Sequence, residues 1–264
     1  MLNISLGMLE QVGVIAKRAG QEIMKIYGTD FDVETKADSS PVTEADRVAE
    51  DLIVRSIREG ISDKFPIVSE EAASAGTAPV VKDTPFWLVD PLDGTKEFVN
   101  RNGEFTVNIA IVDGGRPVLG VIHAPVTGRT FWGGAVGVFT QTGDDGERLI
   151  TCREAPVGGL VALVSRSHKT PEVDTYLADY NIAKETPAGS ALKFCLIAEG
   201  AADIYPRLGR TMEWDTAAGH AILHFAGGTL EDLDGNELTY GKPDFENPHF
   251  IAKGPGVAKA TPDA

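Results

Sequence analysis

The 264-residue sequence predicts a mixed α and β fold in two parts. Three observations carry this reading. Apolar residues recur at helical spacing twice before residue 60. Residues 105–123 read as two strands about a glycine turn. From residue 160 short apolar runs alternate with helical patterns, which is the signature of βα units. The change of character near residue 147 marks the expected boundary. An N-terminal α+β part, residues 1–146, precedes a C-terminal α/β part, residues 147–264.

Each element has its own reason. Leu9, Val12, Ala16, Ala19, Ile23 and Ile26 make residues 5–27 an amphipathic helix. Phe31 to Thr35 reads as a short strand, and Asp38-Ser39-Ser40-Pro41 as a loop. Thr43 caps a second helix, with Asp46 placed to close a capping box, and Ala45, Ala49, Leu52, Ile53 and Ile57 form its apolar face. Strands follow at Phe65–Val68, Phe86–Val89, Phe105–Val112, Val118–His123 and Thr130–Trp132. In the second part, strands are expected at Leu160–Ser165, Ile182–Thr186, Asp203–Tyr205, Thr229–Leu233 and Phe250-Ile251. Helices are expected at 171–180, Ser190–Glu199 and Asp215–Phe225, the last stopped by Gly227-Gly228. The tail after Lys253 reads as frayed.

Composition narrows the function classes. Twenty-four basic against 39 acidic residues give a net charge of −15, which argues against binding a nucleic acid polymer or an anionic membrane. A phosphorylated small molecule remains compatible if cations line its site. Hydrophobic content of 42% and charged content of 24% describe a globular chain with an ample core. Cys152 and Cys195 form no metal-binding or redox spacing. No signal peptide is read at the N-terminus, and no apolar run approaches the roughly 20 residues that span a bilayer. A cytoplasmic setting is expected, with peripheral association at the inner membrane still open.

The chemistry concentrates in Trp87-Leu88-Val89-Asp90-Pro91-Leu92-Asp93-Gly94-Thr95. An apolar strand gives way to two aspartates, read as lying on one tight turn. Such a segment is either ordinary turn grammar or a cradle for hard divalent cations. Further acidic positions favour the cradle: Glu70-Glu71 after an apolar strand, Asp46 in a first helical turn, and Asp215 at a helix start. Asp46 and Asp215 would also serve as plain caps. Gly189-Ser190 opens a helix whose N–H groups could hold a phosphate or merely cap it. His168, Lys193 and Arg207 are candidate anion contacts, or solvated surface groups. Pro91 stands where a haloacid-dehalogenase-type phosphatase, with its D-x-D-G-T motif, needs the nucleophilic aspartate two residues before Asp93, so Asp90 and Asp93 fit metal-ligand work and not that covalent route. No P-loop, dinucleotide fingerprint or nucleophile elbow is present.

Asp90-Pro91-Leu92-Asp93-Gly94-Thr95, Glu70-Glu71 and Trp214-Asp215-Thr216-Ala217-Ala218-Gly219 resemble the inositol monophosphatase superfamily. The run Lys96 to Ala110, Ser165-Arg166-Ser167-His168, Gly189 to Cys195 and Tyr205-Pro206-Arg207 resemble its CysQ branch, the 3′(2′),5′-bisphosphate nucleotidases. The resemblance runs from the first helix to about residue 250. It implies a layered αβαβα sandwich of the inositol monophosphatase and fructose-bisphosphatase kind. It also implies two Mg²⁺ ions, with a weaker third. Glu70, Asp90 and the Leu92 carbonyl would hold the first, and Asp90, Asp93 and Asp215 the second. Asp46, Glu70 and Thr95 would position the attacking water, and Gly94 and Thr95 amides would cradle the phosphate. His168, Ser190, Lys193 and Arg207 would contact the rest of the nucleotide, beside Glu70, Leu92, Asp93 and Asp215. The implied reaction is hydrolysis of 3′-phosphoadenosine 5′-phosphate to AMP and phosphate, clearing a by-product of sulfate assimilation, with sensitivity to lithium, in a monomer or homodimer. Two other readings stay open: an inositol or histidinol monophosphatase on the same metal core, and a regulatory protein with a relict metal site.

Overall fold

The structure, a computed structural model, describes residues 2, 4–35, 41–82, 84–167 and 169–260. Helix α1 (Leu6–Tyr27) starts at Ser5, whose hydroxyl accepts from the Met8 N–H, and buries Leu9, Val12, Ala16, Ala19 and Ile23. A two-residue ladder follows, β1 (Glu34–Thr35) with β2 (Pro41–Val42). The expected strand from Phe31 thus shrinks to its last two residues; of the expected loop, Asp38-Ser39-Ser40 lie outside the described residues. Helix α2 (Glu44–Gly60) carries the expected capping box: Asp46 accepts from Thr43 N–H at 2.8 Å, and Thr43 Oγ1 accepts from Ala45 N–H at 3.2 Å.

A seven-stranded sheet comes next, in the order β3 (Ile67–Ser69), β4 (Phe86–Asp93), β5 (Thr106–Asp113), β6 (Arg116–Ala124), β7 (Arg129–Gly134), β8 (Gly137–Thr142) and β9 (Arg148–Leu149). Only β3 and β4 run parallel. Two short helices sit on strand ends, α3 (Glu70–Ser74) after β3 and α4 (Thr95–Val99) after β4. A five-stranded sheet follows. It comprises β10 (Leu160–Ser165), β11 (Ile182–Ala188), β12 (Ile204–Arg207), β13 (Thr229–Asp232) and β14 (Phe250–Lys253), ordered β11-β10-β12-β14-β13. Its helices are α5 (Pro171–Leu177), α6 (Leu192–Ala198) and α7 (Glu213–Phe225).

Side-chain alternation along β4 and β5 shows how the layers stack. Trp87, Val89, Ile109 and Ile111 face the core shared with α1 and α2, whereas Phe86, Leu88, Ala110 and Val112 face the core shared with α6 and α7. That second core continues into Tyr205, Leu230 and Phe250 of the smaller sheet. Beyond it, Val164 and Ile204 pack on Val173 and Leu177 of α5. Two helices, a sheet, two helices, a sheet and a helix make an αβαβα sandwich. The tail is tied down through residue 260, where Ala260 N–H donates to Asp179 O at 2.7 Å and Lys259 pairs with the Asp179 carboxylate at 2.7 Å. This corrects the expected fraying.

The middle helix layer sits close because its residues are small. A Cβ on Gly120 of β6 would drive into the Ala218 carbonyl of α7, and one on Gly219 would overlap the Phe194 ring. Gly120→Ala should therefore cost about 3 kcal/mol in urea unfolding. Gly13→Ala is the control. That α1 glycine has open space at its Cβ position, so the change should add up to about 1 kcal/mol through helix propensity. A second expectation concerns acid. His123 of β6 is buried under α1 with Nδ1 2.9 Å from Thr130 Oγ1. Burial and then Lys17 push its pKa from 6.5 down to about 4. Below pH 6.5 the unfolded chain binds a proton that the folded chain refuses until about pH 4. Stability from this group is thus full above 6.5 and falls by up to about 3 kcal/mol on the way down. Urea titrations at neutral and acid pH should show that component missing in His123→Gln.

Candidate active site

A cavity of about 1300 Å³ opens where the two sheets meet, and Glu70, Asp90, Asp93 and Asp215 all line it. The loop chemistry of β4 explains the arrangement. β4 does not stop at Val89, as the sequence suggested; it runs on through Asp93. Asp90 stands opposite Asn108 and Asp93 opposite Thr106, so one extra residue bulges out of β4 between them. Pro91 is tolerated because β3 pairs only as far as Val89, leaving that edge without a ladder to break. The bulge, in place of the expected tight turn, turns both aspartates toward the cavity. Gly94, at φ +94°, then starts α4.

Backbone and side-chain donors hold each carboxylate. Asp90 Oδ1 accepts from Leu92 N–H at 3.0 Å. Asp93 Oδ2 accepts from Ala191 N–H at 2.6 Å and Asn108 Nδ2 at 3.3 Å. Asp215 Oδ2 accepts from Met212 N–H at 2.8 Å. Asp46 lies buried behind them; Thr43 N–H and Oγ1 fix its Oδ2, and Thr95 Oγ1 lies 3.4 Å from its Oδ1 and 3.3 Å from Leu92 O. Burial raises the Asp46 carboxyl to about 6, against the Thr43 hydrogen bonds and with Glu71 and Glu70 adding to the rise. Burial also raises Asp93, partly offset by Lys193, and raises Asp215 well above the carboxylate range, with Asp93 and Glu70 contributing. Clustered carboxylates with elevated proton affinity and a nearby backbone carbonyl form an all-oxygen donor set. That set fits a hard divalent cation, which would replace the protons.

The second part of the chain supplies the opposite wall. From it Lys169, Lys193, Arg207, Arg210 and Lys242 line the same cavity, which Lys96 of α4 lines from the first part. Three of these, Lys169, Arg210 and Lys242, had no signal in the sequence beyond being isolated cations near turns. Lys193 is buried, and its Nζ donates to the Ser190 and Ala188 carbonyls at 2.6 and 3.2 Å. Burial lowers it to about 8 against the pull of Asp93. It therefore shapes the 188–190 loop as well as charging the cavity. Arg207 Nη2 donates to Arg210 O at 3.3 Å, while its buried Nε has no hydrogen-bond partner among the described residues. Ser190 sits at φ +46°, and its buried Oγ is likewise unpartnered among them.

The expected helix from Ser190 begins instead at Leu192. In the loop before it, Gly189 N–H donates to Glu104 Oε2 at 2.7 Å and Ala191 N–H to Asp93. Gly94 and Thr95 line the cavity. His168 lies outside the described residues. Glu97, buried within α4, accepts from Ser167 Oγ and joins the two walls.

Comparison with known proteins agrees with this geometry. The inositol monophosphatase family matches residues 8–261, beyond the residue 250 limit that the motifs suggested. A 3′(2′),5′-bisphosphate nucleotidase CysQ from Shigella flexneri is 45% identical over 246 residues, covering 92% of this chain and 98% of that one. CysQ of Escherichia coli K12 is 44% identical over the same shares. The crystal structure of CysQ from Bacteroides thetaiotaomicron superposes with a TM-score of 0.79 at 38% identity, covering 96% of this chain and 99% of that one. An inositol monophosphatase from Thermotoga maritima gives 0.78 at 26% identity, covering 95% and 93%. With a family match across residues 8–261 and relatives at 38–45% identity over nearly the whole chain, the chain belongs to the inositol monophosphatase family of metal-dependent phosphatases.

Proposed function

We propose that this phosphatase is a Mg²⁺-dependent 3′(2′),5′-bisphosphate nucleotidase that converts 3′-phosphoadenosine 5′-phosphate to AMP and phosphate. The observation that carries the reading is the two-sided cavity. One wall concentrates carboxylates and the other carries five cationic side chains, Lys169, Lys193, Arg207, Arg210 and Lys242, in a chain whose net charge is −15. A substrate with a single phosphate, read by the acidic wall through its metals, has little use for the second. A substrate with two phosphates uses both. The similarity to proteins named CysQ nucleotidases supports the same choice.

Glu70, Asp90, the Leu92 carbonyl, Asp93 and Asp215 are assigned to hold two Mg²⁺ ions, with room for a weaker third. Bound there, the ions would acidify the attacking water and offset charge on the phosphoryl group. The protein's own groups do the rest. Thr95 Oγ1 stands between the cavity and Asp46 Oδ1, so it orients the water and passes its proton toward that carboxylate. A carboxyl raised to about 6 is a better proton acceptor near neutrality than an ordinary aspartate. Gly94 and Thr95 position the phosphate undergoing attack. Arg207 Nε and Ser190 Oγ, both without a hydrogen-bond partner among the described residues, take the remote phosphate, and Lys193 sets the shape of the Ser190 loop. The resemblance to the CysQ nucleotidases also assigns His168 to the nucleotide. Lithium sensitivity and a cytoplasmic role in sulfur metabolism belong to the same proposal. Among the described residues no helix is long and apolar enough to cross a membrane.

The deciding experiment compares phosphate release from 3′-phosphoadenosine 5′-phosphate and from inositol 1-phosphate under millimolar Mg²⁺. A kcat/KM about 100-fold higher for the nucleotide, about 2.7 kcal/mol of transition-state preference, is expected. Equal or reversed preference moves the chain to the inositol phosphatase branch. In the same assay Arg207→Ala should raise KM for the bisphosphate roughly tenfold or more and leave inositol phosphate turnover nearly unchanged. Asp215→Asn is expected to cut kcat by roughly 100-fold or more. Its effect on stability runs the other way. The folded carboxyl titrates above its unfolded value, so its charged form weakens the metal-free fold at neutral pH. Asparagine keeps an oxygen for the Met212 N–H, so the metal-free variant should melt at a higher temperature than the wild type.

A further inference from the structure

Away from the carboxylate cavity, α7 turns two histidines toward the segment after β13. His220 and His224 are four residues apart on one helix face, and Glu237 stands across from them. One ligand atom from each of the three lies within 4.8 Å of the other two. His220 is buried, Glu237 half-buried and His224 exposed.

The surrounding hydrogen bonds decide the His220 tautomer. Thr216 Oγ1 donates to Glu213 O at 3.3 Å, so it accepts from Asn247 Nδ2 at 3.0 Å and from Tyr240 OH at 3.3 Å. The single Tyr240 proton is thereby committed, and the Tyr240 oxygen accepts from His220 Nδ1, 3.0 Å away. His220 Nε2 is left with a lone pair, and it points at Glu237 Oε1 at 3.6 Å. Two acceptors facing each other at that distance repel unless a cation lies between them. Burial, His224 and Arg116 keep the imidazole neutral by lowering its pKa to about 3. Protonation of the ring therefore does not relieve the clash near neutral pH. Arg116 binds the other Glu237 oxygen at 2.7 Å and leaves Oε1 aimed at the ring.

We propose that His220, His224 and Glu237 form a second, separate divalent-cation site, selective for a borderline ion of the Zn²⁺ class. Two imidazoles and one carboxylate with a fourth position open to water match that ion's preferences, whereas the all-oxygen cavity suits Mg²⁺. Tyr240 and Arg116 play the supporting part that outer hydrogen bonds play in metal centres: one fixes the tautomer, the other the carboxylate. Ligand atoms around such an ion lie roughly 3.3 Å apart, given bonds of about 2.0–2.1 Å. The exposed His224 and half-exposed Glu237 can close that gap while His220 stays fixed. The ion would clamp α7 to the segment following β13, roughly 7.5 Å of helix rise from Asp215. The proposal does not depend on the nucleotidase reading.

The test is calorimetric titration of Zn²⁺ into the wild type, His224→Ala and Glu237→Gln in excess Mg²⁺, with thermal melts of the same samples. The wild type should bind one more equivalent of Zn²⁺ than either variant, or bind it at least about tenfold more tightly. Its Tm should rise with Zn²⁺ where theirs does not. Co²⁺ substituted into the wild type should give the intense visible bands of four-coordinate nitrogen and oxygen ligation, lost in both variants. Mg²⁺-dependent hydrolysis without Zn²⁺ should be alike in all three, which shows that the variants are folded. Identical Zn²⁺ stoichiometry, affinity and melting shift across the three proteins would overturn the site and leave His220 as a donor to Glu237.

Discussion

The architecture depends on keeping several carboxylates together in one cavity against their mutual repulsion. Without a cation the cluster is costly, as the raised affinities of Asp46, Asp93 and Asp215 for protons attest. The fold meets that cost with main-chain donors: Leu92 for Asp90, Ala191 for Asp93, Met212 for Asp215 and Thr43 for Asp46. In each case the donor sits on a bulge, a loop or a helix start, where an N–H is not already used by a ladder. Irregular backbone is concentrated around the cavity for this reason, and regular backbone surrounds it.

The same bonds join the two parts of the chain. Asp93 comes from the larger sheet and is held by Ala191 from the second part. Glu97 binds Ser167, and Glu104 binds both Arg166 and the Gly189 N–H. The cavity is thus lined from both sheets, and α7 is packed in the core between them. Its Ala217-Ala218-Gly219 run lies between the sheets because nothing larger fits beside Gly120 and Phe194. The motif that identifies the family thus serves two purposes. Asp215 contributes charge to the cavity, and the small residues behind it set how closely the layers approach.

Much of the fold was legible in the sequence because it rests on periodicity. The buried faces of α1 and α2 follow the apolar spacing, the Thr43 and Asp46 capping box forms, and β10 spans Leu160–Ser165 as read. What the sequence hid was set by tertiary contact. Pro91 and two aspartates look like a stop signal, but β4 continues through them since its far edge is unpaired there. Lys193 looks like a solvated cation, yet it is buried over the Tyr205 ring with two carbonyls as partners. The individual acidic residues of the cavity were legible mainly through the family motifs, since Glu70 and Asp215 are 145 positions apart (215 − 70) and no local pattern links them. The cationic wall shows the limit best: Lys169, Arg210 and Lys242 carry no motif and converge only through folding.

That convergence explains how an acidic chain can process an anion. A net charge of −15 repels a polyphosphorylated ligand at long range, and screening over roughly 8–10 Å confines the repulsion to the surface. Within the cavity the local balance differs. Of the six cations, Lys169, Arg210 and Lys242 are already paired with Glu185, Glu246 and Glu213. Lys193 is spent on carbonyls. Lys96 is exposed on α4 beside the carboxylates, which leaves Arg207, whose buried Nε has no hydrogen-bond partner among the described residues. An unpartnered buried donor costs stability in the free protein, on the order of 1–3 kcal/mol. A ligand oxygen that completes it recovers that cost on binding. An anion suits this donor by the same logic that suits cations to the crowded carboxylates of the opposite wall.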